Sequence, residues 1–293
     1  MTQAAVDPNV VHATPTKDFF ISMLIRDIEL LDAVADLVDN CVDGARRMKG
    51  RDSLKRLWVK IDLSPEQFTI SDNCGGIEVN LARTYAFRFG RPDDFPKTKH
   101  SIGQFGIGMK RALFKLGTWF SVESSTKTSQ FLLEVDVNDW KGKRKLGPDG
   151  KNHVEDWDFE FKSLTESGGR FRPGTTITVK QLHDGVKAQF SLENFISRLR
   201  EKLETTHQFS LSAGLDIQIN SEPLKRRELG LISSTDIKPA FVHYKLTSGI
   251  SVKIFAGIAA SDPYSAGWNI FCNGRPVSYT HLDVYKRHHQ HWR

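Results

Sequence analysis

Asp36, Asn40 and Asp43 fall at i, i+4 and i+7 within DIELLDAVADLVDNCVDGARR. At 100° per residue they stack on one face of a helix. Ile28, Leu31, Ala35, Val38, Val42 and Ala45 make an apolar stripe opposite, widened by Leu30, Val34, Leu37 and Cys41. A solvated face is the ordinary reading of such a polar row. Two features favour a site. An exposed face normally carries Glu, Lys and Gln, whereas Asp and Asn are poor helix formers. A carboxylate one turn from an amide can also orient a water and contribute to the oxygen shell of Mg²⁺.

Three further stretches have chemical potential. SDNCGGI (71–77) follows an apolar alternating run, which puts Asp72 at a strand end with glycines behind it. A carboxylate there can accept a hydrogen bond from an exocyclic amine, although an ordinary turn explains Asn73, Gly75 and Gly76 equally well. SIGQFGIGMK (101–110) spaces Gly103, Gly106 and Gly108 as GxxGxG. A polar loop precedes it, so the Rossmann fingerprint fails, and no Ser or Thr follows Lys110, so the P-loop fails. A glycine-rich lid entering a helix N-terminus remains, where free N–H groups and the helix dipole favour phosphate. Finally, GTT (174–176) opens a strand, and the Thr175 hydroxyl could support a buried carboxylate.

These residues need elements to hold them. The pattern predicts helices over 19–47, strands at RLWVKIDL and QFTISDN, and a helix at VNLARTYAFRF. GMKRALFKLG reads as a helix stopped by Gly117. A hairpin is expected at WFSVESST and QFLLEVDV, then a polar stretch over 138–173 and a strand at RPGTTITVK. After about 186 come one helix over 190–207 and strands at LDIQIN, FVHYKL, SVKIFAGI and WNIFCNG.

The 293 residues carry 39% apolar and 26% charged residues, the balance of a globular protein with a real core. No apolar run is long enough to cross a bilayer, and the N-terminus lacks the pattern of a signal peptide. Cys41, Cys74 and Cys272 are far apart, which argues against a zinc site or disulfide frame and for a reducing cytoplasm. The net charge of +6 comes in part from KGKRK and a basic tail, which read as solvated segments.

The order DLVDN, SDNCGGI, GQFGIGMK, GTTITV resembles the GHKL superfamily of DNA gyrase B, heat-shock 90 chaperones, sensor histidine kinases and MutL. The resemblance covers about residues 20–182. It implies an α/β Bergerat fold, a two-layer sandwich with nucleotide between helices and a mixed sheet, followed by a partial ribosomal-S5-like transducer domain. It also implies ATP and Mg²⁺ as ligands, Asp36 as the base that activates water, and Asn40 as the Mg²⁺ ligand. Asp43, Asp72, Gly76, Ile77 and Thr175 would bind the nucleotide, with Asp72 reading the adenine amine. Ser101, Gly103, Gln104, Phe105, Gly106, Ile107, Gly108 and Lys110 would form the phosphate lid. Slow ATP hydrolysis driving an ATP-dependent homodimer clamp is the function implied, and a non-hydrolysing ATP-binding switch is the alternative. Asp36 departs from the family's usual Glu, Cys74 from the first Gly of the second motif, and Gly44 from the usual Ala.

Only His12 precedes Asp36, which argues against a sensor kinase. The NGR sequence at 273–275 resembles a strand of MutL, favouring a MutL- or MORC-like branch. A DNA-handling role fits that branch, but no specific motif supports it. The expected layout is an arm over 1–17, an ATP-binding domain over 18–185, a partial transducer over 186–277 and a non-native tail over 278–293. A transducer lysine would then fall past residue 280.

Overall fold

The computed structural model describes residues 13–50, 53–90, 107–147, 150–226, 230–260, 267–272 and 274–280. The chain opens with α1 (Lys17–Arg26), α2 (Leu30–Lys49), β1 (Trp58–Leu63) and β2 (Gln67–Asp72). A short α3 (Val79–Leu81) continues into a π-helical turn, Ala82–Ala86. Next come α4 (Gly108–Leu116), β3 (Gly117–Ser125), β4 (Gln130–Asp136) and α5 (Val137–Gly142). After the short strands β5 (Arg144–Leu146), β6 (His153–Glu155) and β7 (Phe161–Thr165), β8 runs Gly174–Leu182. Helices α6 (Asp184–Phe190), α7 (Glu193–Thr206) and α8 (Gln208–Ser212) precede β9 (Asp216–Ile219) and β10 (Glu222–Pro223). Two hairpins follow, β11 (Ala240–Lys245) with β12 (Ser251–Ala256), and β13 (Trp268–Cys272) with β14 (Arg275–Thr280).

Eight strands form one mixed sheet in the order β10-β9-β1-β2-β8-β3-β4-β7. β1 and β9 are parallel, while the pairs β1–β2, β2–β8 and β3–β8 are antiparallel. One face is buried under helices. Val59, Ile61, Phe68, Ile70, Phe120, Val122, Phe131, Leu133, Ile177 and Val179 alternate into that layer, as period-two side-chain geometry requires. Lys60, Asp62, Glu123 and Lys180 point the other way and are exposed. The result is the two-layer α/β architecture expected from the sequence, a large mixed sheet packed against helices.

Several expectations change in detail. The helix expected over 190–207 is α7, which starts at Glu193; Phe190 instead ends the separate helix α6, and its ring packs on Phe195 with centroids 5.5 Å apart, both buried. The polar stretch 138–173 holds α5, whose first turn is capped by the Asp136 carboxylate accepting from Asn138 N–H at 2.9 Å. It also holds β7 at the edge of the sheet. The sheet does not stop at the boundary expected near 185, since β9 pairs with β1 through Trp58↔Asp216 to Ile61↔Ile219. Lys17 begins α1 and is buried on Trp140, and residues 1–12 of the expected arm lie outside the described residues. β14 runs through Thr280, into the segment expected to be a non-native tail.

Candidate functional site

Helix α2 forms the spine of the site. Asp32 in its first turn and Arg46, Arg47 and Lys49 in its last complement the helix dipole. Its apolar stripe is buried almost completely, from Ala33 through Ala45. Its polar row is not a solvent face. Asp43 and Asp39 are buried, Asp36 is partly covered, and Asn40 alone of the four is exposed.

Asp72 ends β2 directly opposite Thr175 of β8 in the strand register. Its Oδ1 accepts the Cys74 backbone N–H at 2.6 Å, which closes the turn after the strand. Burial pushes the Asp72 carboxyl above its usual range, while the hydrogen bonds from Cys74, Cys41 and Thr175 oppose that rise. Behind it, Thr175 Oγ1 and Ser124 Oγ lie 2.8 Å apart, and Ile77 N–H donates to Ser124 Oγ at 2.8 Å. Ser124 therefore joins Ile77 to Thr175.

Close backbone approach explains the glycines here. Gly76 has φ +70°, and a Cβ on it would lie 1.9 Å from the Ser125 carbonyl oxygen. A Cβ at Gly44 would sit 2.5 Å from the Cys74 carbonyl oxygen, so the missing side chain lets α2 press onto the turn after Asp72. Burial pushes both thiols up, Cys74 to about 12 and Cys41 well above its ordinary value, so neither carries charge here. A cavity of about 660 Å³ opens at these strand ends, lined among others by Met48, Trp58, Asp72, Gly174 and Thr175. Another cavity, about 470 Å³, holds none of the expected site residues; apolar Leu30, Leu31, Val186 and Phe195 line it with the polar Glu29, Lys115, His183 and Arg198.

Two turns earlier on α2, roughly 12 Å along the axis, the Asp36 carboxylate meets the start of α4. A Cβ on Gly108 would lie 3.2 Å from Asp36 Oδ2. Ile107 precedes the helix without a side-chain capping bond, and the first N–H groups of an α-helix have no partner within it and favour an anion. Arg111, one turn into α4, donates to Asp36 Oδ2 at 3.0 Å. Asn40 Nδ2 donates to the Asp36 carbonyl at 3.0 Å, so its amide oxygen is the atom left to accept or ligate. That hard neutral donor suits Mg²⁺, which takes few protein ligands and completes its octahedron with phosphate and water. Among the described residues, no group of three or more His, Cys, Asp or Glu could hold a metal by itself.

Lys110 is turned inward. It is buried, donates to the Ala86 carbonyl at 2.8 Å, and burial lowers its amine to about 8. Ser101, Gly103, Gln104, Phe105 and Gly106 lie outside the described residues. The structure thus gathers Asp72, Gly76, Ile77 and Thr175 beside the C-terminal part of α2, and Asp36, Asn40, Ile107 and Gly108 near its middle, with Asp43 buried between Asn40 and Gly44.

Sequence reasoning missed a cluster on the same helix. Asp39 is 3% exposed and forms an ion pair with Arg275 of β14. His207, 2% exposed, faces it at 3.7 Å. Burial raises Asp39 to about 7 and lowers His207 to about 3, with Arg275 and Arg46 adding to the His207 shift. The available signal was a second acid three residues after Asp36 within an apolar run, together with the arginine of NGR.

Residues 28–166 match the family model described as histidine kinase-, DNA gyrase B-, and HSP90-like ATPase, just under half of the 293-residue chain. Thr175 lies beyond the matched segment. Two solved structures of the ATPase region of Saccharomyces cerevisiae topoisomerase II also align with the chain. One is bound to ICRF-187 (dexrazoxane) and is 13% identical, with a TM-score of 0.45, covering 68% of this chain and 49% of that one. The other is 12% identical, with the same score and coverage. The chain therefore spans about half the length of these solved structures. No curated protein matches it. The similarity to the GHKL ATPases thus rests on residues 28–166, which hold α2, the Asp72 turn and α4, and it supports a GHKL-type ATP-binding domain there.

Proposed function

We infer that the chain binds Mg-ATP and hydrolyses it slowly, with nucleotide binding driving association of two chains as a clamp. The observation that carries this is the placement of Asp72 opposite Thr175 beside the C-terminal part of α2 while Asp36, near the middle of α2, meets the start of α4. The first pair can accept an exocyclic amine and back it with a hydroxyl. The second place sets a helix N-terminus, which favours phosphate, beside a carboxylate.

In this reading the Asp72 carboxylate accepts a hydrogen bond from the adenine amine, and Asn40 presents its amide oxygen to Mg²⁺. The metal supplies neutralisation of phosphate charge. Asp36 takes a proton from water as the water oxygen bonds to the terminal phosphorus. The bond from that phosphorus to the bridging oxygen breaks, and ADP leaves with the electron pair. Most of the protein's contribution is positioning. Asp is one methylene shorter than Glu, which places the base farther from water and favours slow turnover.

A non-hydrolysing switch is the second reading. It is favoured by Arg111, which occupies one oxygen of Asp36. An Asp36→Ala protein separates the two: under hydrolysis it keeps nucleotide affinity but loses ~100-fold or more in kcat, whereas a pure switch behaves as wild type with ATP or a non-hydrolysable analogue. Calorimetry with Mg-ATP on wild type and Asp72→Asn tests the site itself. Binding by wild type and its loss in the variant are expected, and equal binding by both would remove Asp72 from the site. A MutL- or MORC-like role on DNA would appear as salt-dependent retention on plain duplex.

A further inference from the structure

Asp36 is gripped from two directions, and the second grip comes from far along the chain. Arg111 of α4 donates to Oδ2 at 3.0 Å, a hydrogen bond. Arg275 of β14 approaches Oδ1 at 3.7 Å, beyond hydrogen-bonding distance but close enough for a strong field in a partly covered site. Oδ1 is therefore the oxygen left to accept a proton, with a cation beside it. The same guanidinium pairs with Asp39, one turn along α2, which is almost fully buried. Neutral His207 lies 3.7 Å from the other oxygen of Asp39, so the positive charge acting on Asp39 comes from Arg275 first and Arg46 next. The surrounding hairpin is seated by other contacts. Phe271 packs edge-on against Phe209 with centroids 5.0 Å apart. Gly274 lies so close to Arg46 that a Cβ there would be 2.9 Å from its guanidinium.

We propose that Arg275 is a positioning residue for the candidate base: anchored on Asp39, it keeps the Asp36 carboxylate aimed at the start of α4, and so makes turnover depend on the seating of the β13–β14 hairpin. A planar fork can span two carboxylates one turn apart, whereas an ammonium on a flexible stem serves only one well. The proposal rests on the reading of Asp36 as the base.

The test uses the full chain with Mg-ATP. Arg275→Gln should lower kcat about tenfold or more while KM stays within about threefold, because the nucleotide-binding groups are untouched. Arg275→Lys should recover part of that loss, which a purely structural role would not produce. Arg275→Gln leaves Asp39 buried without its partner and can cost stability. The double variant Asp39→Asn/Arg275→Gln removes the buried carboxyl together with its partner and should show the same fall in kcat. Hydrogen exchange should show faster exchange in the 268–280 hairpin of Arg275→Gln, with β2 and β8 unchanged. Unaltered kcat in a folded Arg275→Gln or in the double variant overturns the proposal alone. A fall in which KM rises as much as kcat drops, with no recovery by Lys, overturns it as well. Wild-type protein that binds Mg-ATP yet shows no turnover overturns the reading of Asp36 as base and this proposal with it.

Discussion

Asp39 and His207 lie 3.7 Å apart, both nearly free of solvent, and their protonation is pulled in opposite directions. The ordinary imidazole titrates at 6.5, and in the folded chain burial holds His207 to about 3. Between those values the unfolded chain binds a proton that the folded chain does not, so this residue lowers stability as pH falls through that window and has no effect above it. Asp39, raised to about 7, acts the other way: the folded chain holds its proton above the ordinary carboxyl range, and that contribution is lost as pH rises through 7. His207→Gln removes only the first slope. Urea unfolding at pH 7.5 and at pH 5 should show the variant gaining on wild type at the lower pH, and parallel curves would mean that His207 is charged when folded. Asp36 and Asp72 carry the functional predictions at this scale, with loss of turnover at retained affinity for Asp36→Ala and loss of affinity for Asp72→Asn.

At the scale of elements, the site depends on how closely backbones approach. The turn after β2 is pressed between α2 and the ends of β3 and β8, and side chains are excluded at Gly44 and Gly76. Gly76→Ala must tolerate both a left-handed φ of +70° and a Cβ at 1.9 Å from a carbonyl oxygen. It should cost at least about 2 kcal/mol, since strain and overlap add, and denaturant unfolding measures it. Gly185→Ala is the control, because no heavy atom lies within 4 Å of a Cβ placed there. The contrast also explains why a glycine count is a poor guide: Gly75 and Gly76 looked like an ordinary turn until the facing strand ends were in place.

At the scale of the whole molecule, two regions differ in how they are held. The eight-stranded sheet carries the core and is covered by helices on one face. The β11–β12 hairpin exposes Phe241, Tyr244 and Phe255, all more than half accessible. Its amides should exchange at least about tenfold faster than those of β2 and β8, because local opening there uncovers almost no buried surface. Mg-ATP should raise the melting temperature of the sheet domain. At a free ligand concentration of 100 Kd the linkage is worth about 2.7 kcal/mol, and the shift should vanish in Asp72→Asn.

Periodicity and motif order made much of this legible. The amphipathic α2, the alternating strands and the turn at SDNCGGI depend on neighbours a few residues away, so local spacing specifies them. The placement of Asp72 and Thr175 was legible only as motif order; their exact cross-strand register comes from the pairing of β2 with β8. The inward turn of Lys110 was not legible, because it depends on the Ala86 carbonyl of a different helical segment. Nor was the extension of the sheet by β9, which follows from parallel pairing across more than 150 intervening positions. The pairing of Arg275 with Asp36 and Asp39 belongs to the same class. Local periodicity determines which residues share a face, but burial decides which charges meet, and burial exists only once distant segments have packed.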